Sequence, residues 1–73
     1  MNEIKTVDAR GLSCPQPAML ARRAINESKK GAIEVLVDSG MARDNVSRLA
    51  KNAGWSVTVE EQSKGSYRVL LKK

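Results

Sequence analysis

Apolar and polar residues alternate along four short segments of the chain, which is the pattern of a β-strand with one buried face. These segments are residues 4–7, 33–37, 55–60 and 67–71. Two longer segments repeat apolar residues at helical spacing instead, and they predict helices over residues 15–28 and 41–52. The side chains expected to face the core are Ala18, Leu20, Ala21, Ala24 and Ile25 in the first helix, and Ala42, Val46, Leu49, Ala50 and Ala53 in the second.

Residues typical of helix ends, helix caps and turns lie between these elements. Lys29-Lys30-Gly31 and Asn52-Ala53-Gly54 are typical helix ends, since glycine adopts positive φ without strain. Asp38 or Ser39 is expected to cap the second helix, with Asp44 in its first turn. Residues 62–65 predict a turn, so the last two strands should form an antiparallel hairpin.

The predicted order of elements is βαβαββ. Right-handed crossovers make the first two strands parallel and place both helices on the same face of the sheet. The expected architecture is therefore an α/β (α+β) two-layer sandwich, with a four-stranded mixed sheet and two helices on one face. At 73 residues the chain is expected to form a single domain over residues 1–73.

The only cysteine of the chain is Cys14, and it lies directly before Pro15-Gln16-Pro17. Proline is favoured in the first turn of a helix, because the first backbone N–H groups have no intrahelical partner. If Pro15 is the first helical residue, Cys14 is the N-cap and its sulfur lies at the positive end of the helix dipole. That position favours the thiolate, which is the nucleophilic form of cysteine.

Five neighbours, Arg10, Gly11, Pro15, Gln16 and Pro17, are expected to support this thiol. Gln16 keeps a backbone N–H that can face the sulfur, whereas Pro15 and Pro17 have none. Arg10 is a candidate for lowering the thiol pKa further, and Gly11 for permitting the turn before the cysteine. The alternative is that Cys14 is a small core residue and that the prolines only fix the direction in which the helix begins.

The run from Val7 to Pro17, VDARGLSCPQP, contains every fixed position of a D-x-x-G-x-x-C-P-x-P signature. It resembles the N-terminal signature of the TusA/SirA/YedF family of small sulfur carriers. The likeness continues through Val37-Asp38 and residues 42–46 to residues 67–72, and there it is most similar to the YedF branch. The resemblance implies a fold similar to the C-terminal domain of translation initiation factor three, and some YedF members are linked to selenium metabolism.

The amino-acid composition excludes several kinds of catalytic and metal-binding site. The chain has no histidine, so Cys–His catalysis and His metal sites are excluded, and a single cysteine excludes a CxxC pair or a zinc cluster. Neither a metal nor another cofactor is expected. Thirteen Lys and Arg against eight Asp and Glu give a net charge of +5, which attracts acidic partners. The basic residues are spread along the chain without aromatic interleaving, so direct nucleic-acid binding is not expected.

An activated thiol without a substrate-processing constellation favours a carrier. Cys14 would accept a sulfane sulfur as a persulfide and relay it to an acceptor protein. A cysteine desulfurase or a rhodanese-like protein would be the donor, and Arg22, Arg23 and Arg43 are candidate partner contacts. Alternatives are a selenium-handling variant and a regulatory or nucleic-acid-binding module without transfer chemistry. With no apolar leader or bilayer-spanning run, the protein is expected to be a cytoplasmic monomer without membrane contact.

Overall fold

The computed structural model describes residues 4–12, 16–28 and 31–73. Its elements follow the predicted order βαβαββ. They are β1 (Ile4–Asp8), α1 (Gln16–Ser28), β2 (Ala32–Val37), α2 (Gly40–Asn52), β3 (Ser56–Ser63) and β4 (Ser66–Lys72).

The four strands form one mixed sheet in the order β1-β2-β4-β3. β1 and β2 are parallel, and β4 is antiparallel to both β2 and β3. α1 packs on β1 and β2, α2 packs on β3 and β4, and the two helices contact each other. Both helices therefore cover the same face of the sheet, and the predicted two-layer α+β architecture is confirmed.

The core lies between the sheet and the helices. Ile33, Val35 and Val37 alternate along β2 and are fully buried, and the first two pair with the equally buried Leu71 and Val69 of β4. Burial of each such side chain contributes about 1.5–3 kcal/mol. In a chain without phenylalanine, aliphatic side chains and one tryptophan fill this layer. The buried apolar residues are Ala9, Ala21, Ala24, Ile25, Ile33, Val35, Val37, Ala42, Val46, Ala50, Trp55, Val69 and Leu71.

The start of α2 settles which residue caps it. The hydroxyl oxygen of Ser39 accepts the N–H of Ala42 at 3.1 Å, so Ser39 is the N-cap and Asp38 is not. Asp44 was expected in the first turn, but the helix begins at Gly40 and Asp44 is its fifth residue. The carboxylate is therefore beyond the free N–H groups and pairs with Arg43 at 3.0 Å instead.

The end of α2 also departs from expectation at one residue. Ala53 was predicted to face the core, but it is the C-cap residue and lies exposed beyond the last helical turn. Gly54 follows with φ +87° and ends the helix as predicted, and Gly31, which follows α1 in the chain, also has positive φ, at +113°. Lys29, Lys30 and Pro15, which were assigned to the ends of the first helix, lie outside the described residues.

The hairpin is tighter than the sequence indicated. Residues 62–65 were predicted to turn, but β3 continues to Ser63 with a register shift between Glu61 and Ser63, and the turn is Lys64-Gly65. The added residues of β3 are polar, so the alternation of apolar and polar residues that predicts a strand is missing there. Val59 lies on the helix side of β3 yet is 42% exposed, because β3 is an edge strand.

Neither α1 nor α2 covers the other face of the sheet, and a line of polar side chains crosses all four strands there. Arg68 of β4 bonds to Glu34 of β2 and, at 3.1 Å, to Glu60 of β3. The hydroxyl of Thr6 in β1 donates to Glu34 at 3.1 Å. We call these four residues the open-face ladder.

Candidate functional site

The candidate site lies at one end of the molecule. Because β1 and β2 are parallel, their carboxyl ends share one edge of the sheet, and α1 and α2 both begin beyond that edge. We call this region the loop end, which comprises residues 8–12, 16–19 and 38–43. Cys14 and Pro15 belong to the connection between Leu12 and Gln16, and they lie outside the described residues.

The chain that leaves β1 is held against β2 for one residue more. The N–H of Ala9 donates to the carbonyl oxygen of Leu36 at 2.8 Å, and Ala9 is 1% exposed. Parallel pairing therefore continues to the point where the loop turns away, and the start of the loop is fixed by both a hydrogen bond and burial.

Asp8 and Arg10 form the next contact. The Asp8 carboxylate accepts the backbone N–H of Arg10 at 3.1 Å and two guanidinium N–H groups at 2.9 Å each. A carboxylate that accepts the N–H two residues later is an Asx-turn, which mimics a backbone turn. The side-chain hydrogen bond from Arg10, followed by its backbone N–H, lowers the pKa of Asp8 to about 2. The same ion pair raises the pKa of Arg10.

Gly11 is held from the other side of the loop end. Its N–H donates to Oδ2 of Asp38 at 2.8 Å, across 27 positions of sequence. Gly11 has φ +79°, a conformation that side chains disfavour, and a Cβ at this position would meet no atom of the described residues within 4 Å. The backbone conformation therefore explains the glycine.

The charge of Arg10 is partly compensated in this arrangement. Its guanidinium is bonded to Asp8, and Asp38 lies near enough to act on it electrostatically. Two carboxylates thus accompany one guanidinium at the loop. The structure gives Arg10 a defined task in shaping the loop, whereas its effect on the Cys14 thiol stays a prediction.

The first turn of α1 carries the two remaining supporting residues. Gln16 is exposed and begins the helix, while the Pro17 side chain is fully buried. Burial of Pro17 anchors the beginning of α1 on the core. Burial of Pro17 is compatible with both predicted roles of the prolines, which are to fix the direction of the helix and to support a reactive neighbour, and both roles stay predictions.

The predicted partner contacts occupy different surroundings. Arg22 is exposed on α1, and the adjacent Arg23 pairs with Glu27 at 3.4 Å. Arg43 lies in the first turn of α2, where its guanidinium stacks over the ring of Tyr67 at 4.7 Å from the centroid. Arg43 therefore belongs to the loop end, whereas Arg22 and Arg23 lie in the next turn of α1, beyond the loop end.

Three exposed apolar side chains surround the loop. Leu12 is 38% exposed, Met19 63% and Met41 68%, in the loop and in the first turns of α1 and α2. Met19 is not among the predicted core residues of the first helix, and its side chain is largely exposed to solvent. Exposed apolar side chains grouped at one end of a molecule are typical of a contact surface.

Sequence reasoning missed Asp8 and Asp38 as members of this site, because each looked isolated in the chain. The spacing of Asp8 to Arg10 is the signal of an Asx-turn and could have been used. For Asp38 the available signal was topological: residues that follow two parallel strands meet at one edge of the sheet.

Two negative findings concern the described residues alone. Residues 4–12, 16–28 and 31–73 contain no group of three acidic side chains arranged to hold a metal ion. Within the same part of the chain, neither helix has the length and apolar character needed to cross a membrane.

The fold and the loop end define a small α+β domain whose D-x-x-G-x-x-C-P-x-P signature contains the only cysteine of the sequence. The family model described as sulfurtransferase TusA matches residues 5–73, and the chain belongs to this family. A "putative sulfur carrier protein" of Methanocaldococcus jannaschii is 32% identical over 96% of this chain and 95% of its own length. A protein of the same name in Archaeoglobus fulgidus is 38% identical over 94% and 92%.

A solved structure agrees with these relatives. The crystal structure of a SirA-like protein from Desulfitobacterium hafniense is 32% identical, with a TM-score of 0.86 over 96% of each chain. These similarities confirm the family inferred from the signature. The nearer assignment to the YedF branch, and with it a link to selenium, stays a prediction.

Proposed function

We propose that the protein is a sulfur carrier in which Cys14 accepts a sulfane sulfur as a persulfide and passes it to an acceptor protein. The observation that carries this proposal is the held loop that leads to Cys14: Asp8, Arg10 and Gly11 of the signature are all engaged in defined contacts. The family, and the names given to the relatives, support the same chemistry.

The transfer is a thiolate attack on a persulfide. The Cys14 thiolate attacks the outer sulfur of a donor persulfide, a new S–S bond forms on Cys14, and the donor S–S bond breaks to release the donor thiolate. Unloading repeats the step with an acceptor thiolate, or another nucleophile, as the attacking group. Atoms and electrons balance without an added oxidant or reductant.

The beginning of α1 supplies the electrostatic support. The N–H groups of the first helical turn have no intrahelical partner, and they lie at the positive end of the helix dipole. Pro17 has no N–H, so Gln16 and Ala18 provide the donors in this stretch. A persulfide is anionic near neutral pH, so the same donors favour the free thiolate and the loaded form.

The surface beside the loop suits a protein partner such as a cysteine desulfurase or a rhodanese-like donor. Leu12, Met19 and Met41 offer apolar contact area at the loop end. On the helical layer, Arg22, Arg48 and Lys51 are exposed and make no ion pair with any residue in the described part of the chain. Uncompensated charge of this kind steers acidic partners and speeds their encounter.

The experiment that tests the proposal is sulfur loading followed by intact-mass spectrometry. The protein is incubated with a cysteine desulfurase and L-cysteine, and we expect a gain of one sulfur atom that a reducing agent removes. Cys14→Ser is expected to gain none while keeping the circular dichroism spectrum of the fold. Ser13→Ala is the matched control, since it changes the adjacent residue but keeps the thiol, and it should load normally. Gain of sulfur by the serine variant of Cys14 would refute the assignment.

A further inference from the structure

We infer that Asp38 is a positioning residue for Cys14, acting through the hydrogen bond that its carboxylate accepts from the Gly11 N–H. The 2.8 Å contact joins the end of β2 to the loop that precedes the cysteine. Gly11 precedes Cys14 by three positions. The meaning of this role for sulfur transfer rests on the proposed function, but the effect on the thiol can be measured without it.

Asp38 is suited to this task because its own backbone is fixed on both sides. Val37 pairs with Tyr67 in the last register position of β2 and is fully buried. Ser39 is the N-cap of α2 and accepts the N–H of Ala42. The carboxylate therefore extends from a rigid junction between strand and helix, and its hydrogen bond transmits that rigidity to the loop.

Gly11 needs an external partner. It is exposed and adopts positive φ, and glycine loses more conformational freedom on folding than any other residue. The Asx-turn of Asp8 ends at Arg10, so it does not reach the N–H of Gly11. Among the described contacts of this loop, the bond to Asp38 is the one that crosses to another element after Ala9.

A purely electrostatic role for Asp38 predicts the opposite effect on the pKa of the Cys14 thiol. Of the described charged groups, Arg10 interacts electrostatically with Asp38 and Asp8 is bonded to the same guanidinium, while the first turn of α1 carries no charged residue. A carboxylate near a thiol raises the thiol pKa, because it disfavours the thiolate. As a charge alone, Asp38 would oppose activation of Cys14, whereas as a hydrogen-bond acceptor it would hold the loop in place.

The test compares Asp38→Ala, Asp38→Asn and Asp38→Glu with the parent chain. Asparagine keeps a side-chain oxygen that can accept the Gly11 N–H without the charge, alanine removes both, and glutamate keeps the charge but shifts the oxygen. Two readouts are measured: the pH profile of Cys14 alkylation by iodoacetamide, and the rate of sulfur loading from a cysteine desulfurase with L-cysteine. Glu60→Ala is the control, since it removes an exposed carboxylate bonded on the opposite face of the sheet.

If Asp38 positions the loop, alanine and glutamate raise the alkylation inflection toward the ordinary thiol value of about 8.5 and slow loading by about tenfold to a hundredfold. Asparagine and the Glu60→Ala control stay within about threefold of the parent rate. The inference is overturned if Asp38→Ala matches the parent, or if alanine and asparagine both lower the inflection, as loss of a charge would do. Should the parent chain take up no sulfur, the proposed function fails, while the alkylation profiles still decide the role of Asp38.

Discussion

Two polar networks lie on this small domain, and they differ in what they hold. At the loop end, the carboxylates of Asp8 and Asp38 accept backbone N–H groups of Arg10 and Gly11. In the open-face ladder, Arg68, Glu34, Glu60 and Thr6 bond side chain to side chain. The backbone beneath the ladder is already fixed by the pairing of four strands, whereas the backbone of the loop has no such support.

The difference teaches where polar residues matter for function in this fold. Side chains that bond the backbone of an irregular segment determine its conformation, so their loss is expected to move the residues that follow. The ladder joins side chain to side chain above backbone that strand pairing already fixes, and its Arg68–Glu60 pair lies partly in solvent, where water and salt weaken it. We therefore expect changes in the first network to alter the chemistry of Cys14, and changes in the second to alter stability alone.

The largest contrast is expected between two glycines of nearly equal conformation. At Gly11, with φ +79°, and at Gly65, with φ +82°, a Cβ would meet no atom of residues 4–12, 16–28 and 31–73 within 4 Å. Alanine at either position should therefore cost a similar strain of about 1–2 kcal/mol, measured as the free energy of unfolding in urea. Only Gly11→Ala is expected to slow sulfur loading of Cys14, by more than tenfold, because it alone displaces the loop before the cysteine.

Gly65→Ala is the matched control for this prediction, since it strains the hairpin turn and leaves the loop end untouched. Equal loading by both variants, at equal loss of stability, would show that the conformation of Gly11 has no special bearing on the thiol. Unequal losses of stability would show that the loop tolerates strain differently from the hairpin.

A smaller effect is expected from the open-face ladder. Arg68→Met keeps the apolar stem of the side chain but removes its bonds to Glu34 and Glu60. We expect a modest fall in the thermal unfolding temperature, smaller than that of Gly65→Ala, and a rate of sulfur loading equal to that of the parent. A fall in loading would contradict the separation of the two networks, and Glu34→Gln in the same background should restore part of the stability.

The smallest effect concerns acid titration of the loop. The pKa of Asp8 is lowered from its ordinary value of 3.8 to about 2, first by the side-chain hydrogen bond of Arg10. Because the folded pKa is depressed, the contribution of this contact is complete above pH about 4 and is lost as the pH falls through about 2. A titration of the Asp8 carboxyl carbon by NMR should show the low midpoint, and Arg10→Ala should return it toward 3.8. An unchanged midpoint in that variant would mean that the hydrogen bonds have another geometry in solution.

The fold was predictable because each element had its own periodic signal. Ile33, Val35 and Val37 alternate at strand spacing and are fully buried, and Ala21, Ala24 and Ile25 follow helical spacing into the same core. Prediction was wrong where polar residues were governed by tertiary pairing. The extension of β3 to Ser63 depends on β4 beside it, and the exposure of Ala53 depends on where α2 ends.

The site was predictable only in its sequence-local part. The signature marked Arg10, Gly11 and Pro17 from their nearness to Cys14 in the chain, and their support of the thiol stays a prediction. The contact of Asp38 with Gly11 spans 27 positions, and no local pattern reports such a distance. Likewise, helical spacing alone does not decide that Met19 is 63% exposed, because that depends on how the layers pack.

The hydrogen bond from Ala9 to Leu36 has a consequence for how the signature can vary. It sets the residue at which the chain leaves the sheet, and the Asx-turn and the positive φ of Gly11 then follow at fixed counts from it. The number of residues between Asp8 and Gly11 is thus set by the path of the backbone, while the residues between Gly11 and Cys14 bear on the chemistry of the thiol. A homologue with a residue inserted between the aspartate and the glycine could not keep this backbone path. A homologue with different residues between the glycine and the cysteine could keep the path and have a thiol of different reactivity.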